Sequence, residues 1–118
     1  MYSARTFGTG DRTVQVILLD TRYNLDPWDY AGEDPARRIL GDEQWAWLRE
    51  RLAEPARVRI IGSGVQVVGD YDIDREWESW GDSPLERERL YRLIRDLRVP
   101  GVVFVSGDMH FAELTRHP

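Results

Sequence analysis

Cysteine is absent from the 118 residues, so this chain alone can build neither a disulfide framework nor a thiolate metal site. Lysine is absent as well: all sixteen basic residues are arginine. That bias fits a GC-rich coding sequence, although arginine also suits two-point contacts to oxyanions. No apolar run is long enough to span a membrane. The N-terminus carries no signal-peptide pattern, and any signal is expected upstream of these residues. Internal repeats and low-complexity linkers are missing too. Positive charge is in deficit, with a net charge of −5, which argues against a nucleic-acid-binding patch. What is present is a globular balance, 42% hydrophobic and 31% charged, enough to bury one core if the sheet edges are covered.

Along the chain, Thr13 to Leu19 is rich in β-branched residues and predicts a buried strand that ends at Asp20-Thr21-Arg22. Tyr23 to Arg38 reads as loop, because Asp26-Pro27 and Asp34-Pro35 disfavour helix before each proline. A helix is predicted from about Asp42 to Ala53, with Trp45, Leu48 and Leu52 on one stripe and Pro55 past its end. Val58 to Ile61 predicts a second strand, followed by Gly62-Ser63-Gly64 and a further extended run, Val65 to Val68. Tyr71 to Ser83 reads as a long polar and aromatic loop. Ser83 and Glu86 have the spacing of a capping box and Pro84 falls at the first helical position, so a helix is predicted over Pro84–Leu97. Pro100-Gly101 stops it, and Val102 to Val105 predicts a third strand running into Gly107-Asp108. The class is α/β in layers, with strands expected to be covered on both faces by helices.

Three predicted strands end in polar turns, and parallel strands would bring those turns to one rim, where α/β sheets gather ligands. Asp108 and His110 are two apart, so in an extended segment a carboxylate oxygen and an imidazole nitrogen would face one ion. Gly107 would allow a sharp turn there. The alternative is a turn aspartate beside an incidental histidine, and the tetrapeptide leaves both open. Arg22 could clamp a phosphate or pair with Asp20. The alternating acids Asp70, Asp72, Asp74, Glu76 and Glu78 fail the calcium-loop test, since Arg75 and Gly81 stand where glycine and glutamate are needed. A solvated acidic loop is expected, with Trp77 and Trp80 anchoring it. Gly62-Ser63-Gly64 lacks the pattern of a P-loop, and Ser63 lacks a nucleophile elbow.

Five strings taken together resemble one family. Leu18-Leu19-Asp20-Thr21-Arg22-Tyr23, Leu40-Gly41-Asp42-Glu43-Gln44-Trp45-Ala46-Trp47-Leu48 and Ile61-Gly62-Ser63-Gly64-Val65-Gln66-Val67 are similar, in order, to segments of PhoD-like (alkaline phosphatase D) metallophosphatases. So are Trp77-Glu78-Ser79-Trp80 with Pro84 and Glu86-Arg87, and Val105-Ser106-Gly107-Asp108-Met109-His110-Phe111-Ala112-Glu113-Leu114. The resemblance runs from about residue 13 to 116 and implies a calcineurin-like metallophosphoesterase fold, a sandwich of mixed sheets flanked by helices. It implies hydrolysis of phosphate mono- or diesters at a multinuclear centre of divalent or trivalent ions, calcium and iron being those associated with the family.

On that resemblance Asp108 and His110 are metal ligands, Asp20 and Arg22 serve catalysis, and Gln66 and Trp80 line the substrate pocket. The family's other ligands lie ahead of the Asp-Thr-Arg strand and have no counterpart here. The expectation is therefore a partial PhoD-like domain over residues 1–118, a fragment of a family whose members are often exported. It would be inactive by itself and prone to self-association through an uncovered sheet edge. The alternative is a non-catalytic α/β remnant or partner-binding module.

Overall fold

The computed structural model describes residues 1–27, 34–69, 78–108, 110 and 112–116. Its centre is one mixed four-stranded sheet in the order β1 (Ser3–Phe7), β2 (Val14–Leu18), β3 (Val58–Ser63), β4 (Val102–Ser106). β1 runs antiparallel to β2, while β2, β3 and β4 are mutually parallel. The parallel steps are joined through α1 (Asp42–Ala53) and α2 (Pro84–Asp96), as parallel strands require a crossover. The class is α/β, and the three predicted strands and both helices form where the apolar patterns place them. β1 was not expected. Among its five residues only Ala4 packs against the core, so it offers little hydrophobic pattern.

Register divides the sheet into two unlike faces. Ile17 pairs with Ile61, which pairs with Phe104, and these point to the helices with Ala4 and Val102. Trp45, Leu48 and Leu52 of α1 and Leu90 and Leu93 of α2 join them in one buried cluster. On the opposite face, Val16, Ile60 and Val103 lie side by side, as do Leu18, Gly62 and Val105. None of these is in the core cluster, and Leu18, Val103 and Val105 are about half exposed at 51%, 49% and 52%. The expected helices on both faces are thus replaced by helices on one face among the described residues.

The ends of the helices also depart from sequence pattern. Ser83 stands at the N-cap of α2 but makes no side-chain cap bond, and its buried Oγ has no partner among the described residues. The capping box forms one turn earlier: Asp82 accepts from Ser79 N (2.7 Å) and Ser79 Oγ accepts from Gly81 N (3.0 Å), around the 3-10 turn Trp80–Asp82. Glu86 turns instead to the loop before α1. α2 stops in a Schellman arrangement, with Val99 N bonded to Ile94 O (2.9 Å) and Arg98 N to Arg95 O (2.9 Å). The stop is therefore local to Arg98, ahead of Pro100. At the end of α1 the buried Arg59 guanidinium donates to the carbonyls of Leu52 (3.3 Å), Glu54 and Ala56 (3.0 Å). Val65 to Val68, expected to be extended, pairs through a single parallel bridge, Gln66 with Ser79. The acidic residues from Asp70 to Glu76, and Trp77, lie outside the described residues.

Candidate functional site

The parallel strands β2, β3 and β4 deliver their carboxyl ends to one rim. At the end of β2, Gln44 is fully buried and clasps the backbone of Asp20: its Nε2 donates to Asp20 O (2.8 Å) and its Oε1 accepts from Asp20 N (2.9 Å). The Asp20 carboxylate accepts from the chain's terminal ammonium and from the backbone N–H groups of Tyr23 (3.0 Å) and Arg22 (3.1 Å). Those bonds, the ammonium first, hold its pKa down at about 2. The two backbone bonds, from the Arg22 and Tyr23 amides, hold the Asp20 carboxylate in the turn. The Arg22 side chain does not pair with Asp20. Its guanidinium meets Glu78, which also accepts from Arg37 Nη2 (3.1 Å).

At the end of β3, Ser63 is buried and committed locally: its Oγ donates to Val65 O (2.7 Å) and accepts from Trp80 Nε1 (3.1 Å). Trp80 is fully buried and meets Trp45 edge-on at 6.4 Å between ring centroids. It faces the core and presents no surface to a substrate.

Beyond β4 a cleft of about 600 Å³ opens. Asp108, His110, Gln66 and Glu113 all line it, together with Phe104 and Ser106. The backbone reaches this arrangement by a different route from the extended one expected. Asp108 has φ 83° and His110 φ 56°, both left-handed, so the alternation of an extended strand does not apply to them. Aspartate and histidine are among the residues that tolerate this region. Gly107 does not take a left-handed φ, and a Cβ placed on it would meet nothing within 4 Å. The turn is thus made by Asp108, not by the glycine before it.

Asp108, His110 and Gln66 come together in the cleft, whereas Asp20, Arg22 and Trp80 are not among its lining residues. Gln66 Nε2 donates to Gly107 O at 2.8 Å. Asp108 and His110 offer one oxygen and one nitrogen donor type, but among the described residues no group of three His, Asp or Glu gathers to hold a metal ion. Also among the described residues, no helix is long and apolar enough to cross a membrane. Gln44 bears on the rim without having been singled out from the sequence, because a glutamine there has no spacing signature of its own, and Glu78, expected in a solvated acidic loop, instead pairs with Arg22 and Arg37.

No curated protein matches the chain. A solved structure described as "Structure of PhoD" superimposes with a TM-score of 0.70 at 25% identity, covering 91% of this chain and 23% of that one. The chain thus spans less than a quarter of the length of that protein. The family model described as PhoD-like phosphatase matches residues 2–117. On that match, covering nearly the entire chain, the protein belongs to the PhoD-like phosphatase family.

Proposed function

We propose that these residues form part of the catalytic domain of a metal-dependent phosphoric ester hydrolase acting on phosphomonoesters or phosphodiesters. The observation that supports this most is the placement of Asp108 and His110 on one cleft beyond the carboxyl end of a parallel strand, in a chain of this family. Asp108 and His110 are the proposed ligands of a divalent or trivalent ion, calcium or iron, with the remaining ligands supplied from outside these 118 residues. A bound ion would supply positive charge for phosphoryl oxygens and a more acidic water.

The chain's own groups have distinct proposed tasks. Arg22, on the same rim though outside the cleft lining, is the proposed contact to the ester, since its side chain is 60% exposed and its pairing with Glu78 can be exchanged for a phosphate oxygen at small cost. Asp20 fixes the turn that carries Arg22 through its bonds to the Arg22 and Tyr23 amides. Trp80, being buried, contributes by holding Ser63 and the β3 end in place.

The test is Asp108→Ala and His110→Ala in the longer protein that carries this sequence, with metal content and hydrolysis of a chromogenic monoester and diester measured together. Each variant is expected to lose metal and at least a hundredfold in turnover, about 2.7 kcal/mol of transition-state stabilisation. Unchanged metal content and unchanged rates in either variant would exclude it as a ligand.

A second reading is favoured by a different observation, the uncovered apolar face of Leu18, Val103 and Val105. On that reading the chain is an α/β module that associates through this face and its open edge rather than an enzyme. Hydrolysis by the longer protein, abolished by the two substitutions, separates the readings.

A further inference from the structure

We infer that Gln66 is a positioning residue, which holds the turn at Gly107 so that Asp108 faces the cleft; this rests on the hydrolase reading above. Gln66 is anchored from the core side. Its carbonyl accepts from Trp80 N (2.9 Å), and it bridges Ser79, the residue that closes the capping box with Asp82. Trp80 is itself fully buried and tied to Ser63. From this fixed base the Gln66 amide reaches 41 residues along the chain to donate to Gly107 O at 2.8 Å.

The carbonyl of Gly107 and the amide nitrogen of Asp108 belong to one rigid peptide plane. Holding that oxygen orients the plane about which φ of Asp108 is defined. Asp108 sits at φ 83°, a conformation that aspartate tolerates but that still costs a residue with a Cβ, so a hydrogen bond that favours it has an effect. Apolar burial cannot impose it here, because Gly107, Asp108 and His110 are all exposed. The hydrogen bond from Gln66 supplies the constraint. The other end of the amide, Oε1, is buried and has no partner among the described residues. Reversing the amide would set its oxygen against the Gly107 carbonyl, so a donor is required at this position.

The experiment compares the wild-type chain with Gln66→Glu, which keeps the size but loses the donor, and Gln66→Ala. The readout is the strong intraresidue amide-to-Hα nuclear Overhauser effect of a left-handed residue, measured at Asp108 beside thermal unfolding. Both variants are expected to lose the Asp108 signature while unfolding near the wild-type temperature. An intact signature in Gln66→Glu overturns the inference. So does lowered thermal stability with the signature intact in either variant, which is what a residue bracing only the core would give. In the longer protein, Gln66→Glu is expected to lower metal affinity and kcat about tenfold or more with KM little changed. If Asp108→Ala leaves that protein fully active, the hydrolase reading fails and the spectroscopic result still decides the role of Gln66. If Asp108→Ala abolishes activity while Gln66→Glu leaves it unchanged, the role of Gln66 fails and the hydrolase reading stands.

Discussion

The carboxylate of Glu86 accepts from Ile39 N (3.1 Å), Leu40 N (3.0 Å) and Trp45 Nε1 (3.1 Å), and all three bonds are buried. Arg89 completes the knot, 3.6 Å from the carboxylate and 4.4 Å over the Trp45 ring. One side chain of α2 therefore fixes the loop that launches α1. Removing it would leave three buried donors without acceptors, each costing about 1–3 kcal/mol. Glu86→Ala is expected to destabilise the chain by about 3 kcal/mol or more, read as a lowered urea midpoint at unchanged m-value. A midpoint close to wild type would show that water or another side chain takes over the three donors. The sequence reading gave Glu86 to a box with Ser83, because Ser-x-x-Glu spacing reports only what is possible within one turn. The stronger claim on the carboxylate came from donors more than forty residues away, which local spacing cannot register. The same limit applies to Gly107: glycine marks a place where a turn is allowed, whereas the left-handed φ falls on Asp108.

At the scale of elements, periodicity was a good guide wherever one side of a segment meets the core. The stripe of Trp45, Leu48 and Leu52 located α1 at Asp42–Ala53, and Leu90 and Leu93 located α2. The β-branched runs located β2, β3 and β4 for the same reason. β1 was illegible because its pairing with β2, and not apolar burial, makes it a strand. The run Val65 to Val68 misled in the opposite sense. Val65 and Val67 are buried as alternation implies, yet they bury as an irregular segment bonded to Ser79 and Trp80. At the rim, the strand–helix–strand order made parallel strands legible, whereas the left-handed turn that carries Asp108 and His110, the clasp of Gln44 and the latch of Gln66 depend on backbone conformation and distant backbone atoms that spacing does not register. The end of α2 yields a prediction of its own. Arg98 occupies the left-handed C′ position at φ 50°, where glycine has no Cβ penalty. Arg98→Gly is expected to stabilise the chain by about 0.5–1 kcal/mol, part of the relieved strain being offset by the greater freedom of glycine when unfolded. A lower melting temperature for Arg98→Gly would mean that the arginine side chain contributes more than its backbone costs.

At the scale of the whole molecule, the sheet is finished on one face and open on the other. The helix-covered face holds Ile17 and Ile61 fully buried, whereas the opposite face leaves Leu18, Val103 and Val105 half exposed around the partly covered Val16 and Ile60. β4 is also an edge, since among the described residues no strand pairs beyond it. Exposed apolar side chains and free backbone donors and acceptors on the same strand form a template for another β-strand, with no inward charge on Val103 or Val105 to discourage it. Burying such surface contributes about 25 cal/mol per Å². For the isolated chain the occupant available to such a face is a second copy of itself. Sedimentation velocity of the 118-residue chain is expected to show association that grows with concentration. Val103→Lys with Val105→Lys should return it to a monomer with the same helical circular dichroism, because those positions face away from the helices. The isolated chain should also fail to hydrolyse a chromogenic monoester or diester with calcium or iron, since among the described residues no group of three His, Asp or Glu gathers around Asp108 and His110. A monodisperse wild-type monomer that turns over either ester would overturn both expectations, showing that the open face needs no partner and that the cleft is complete as it stands.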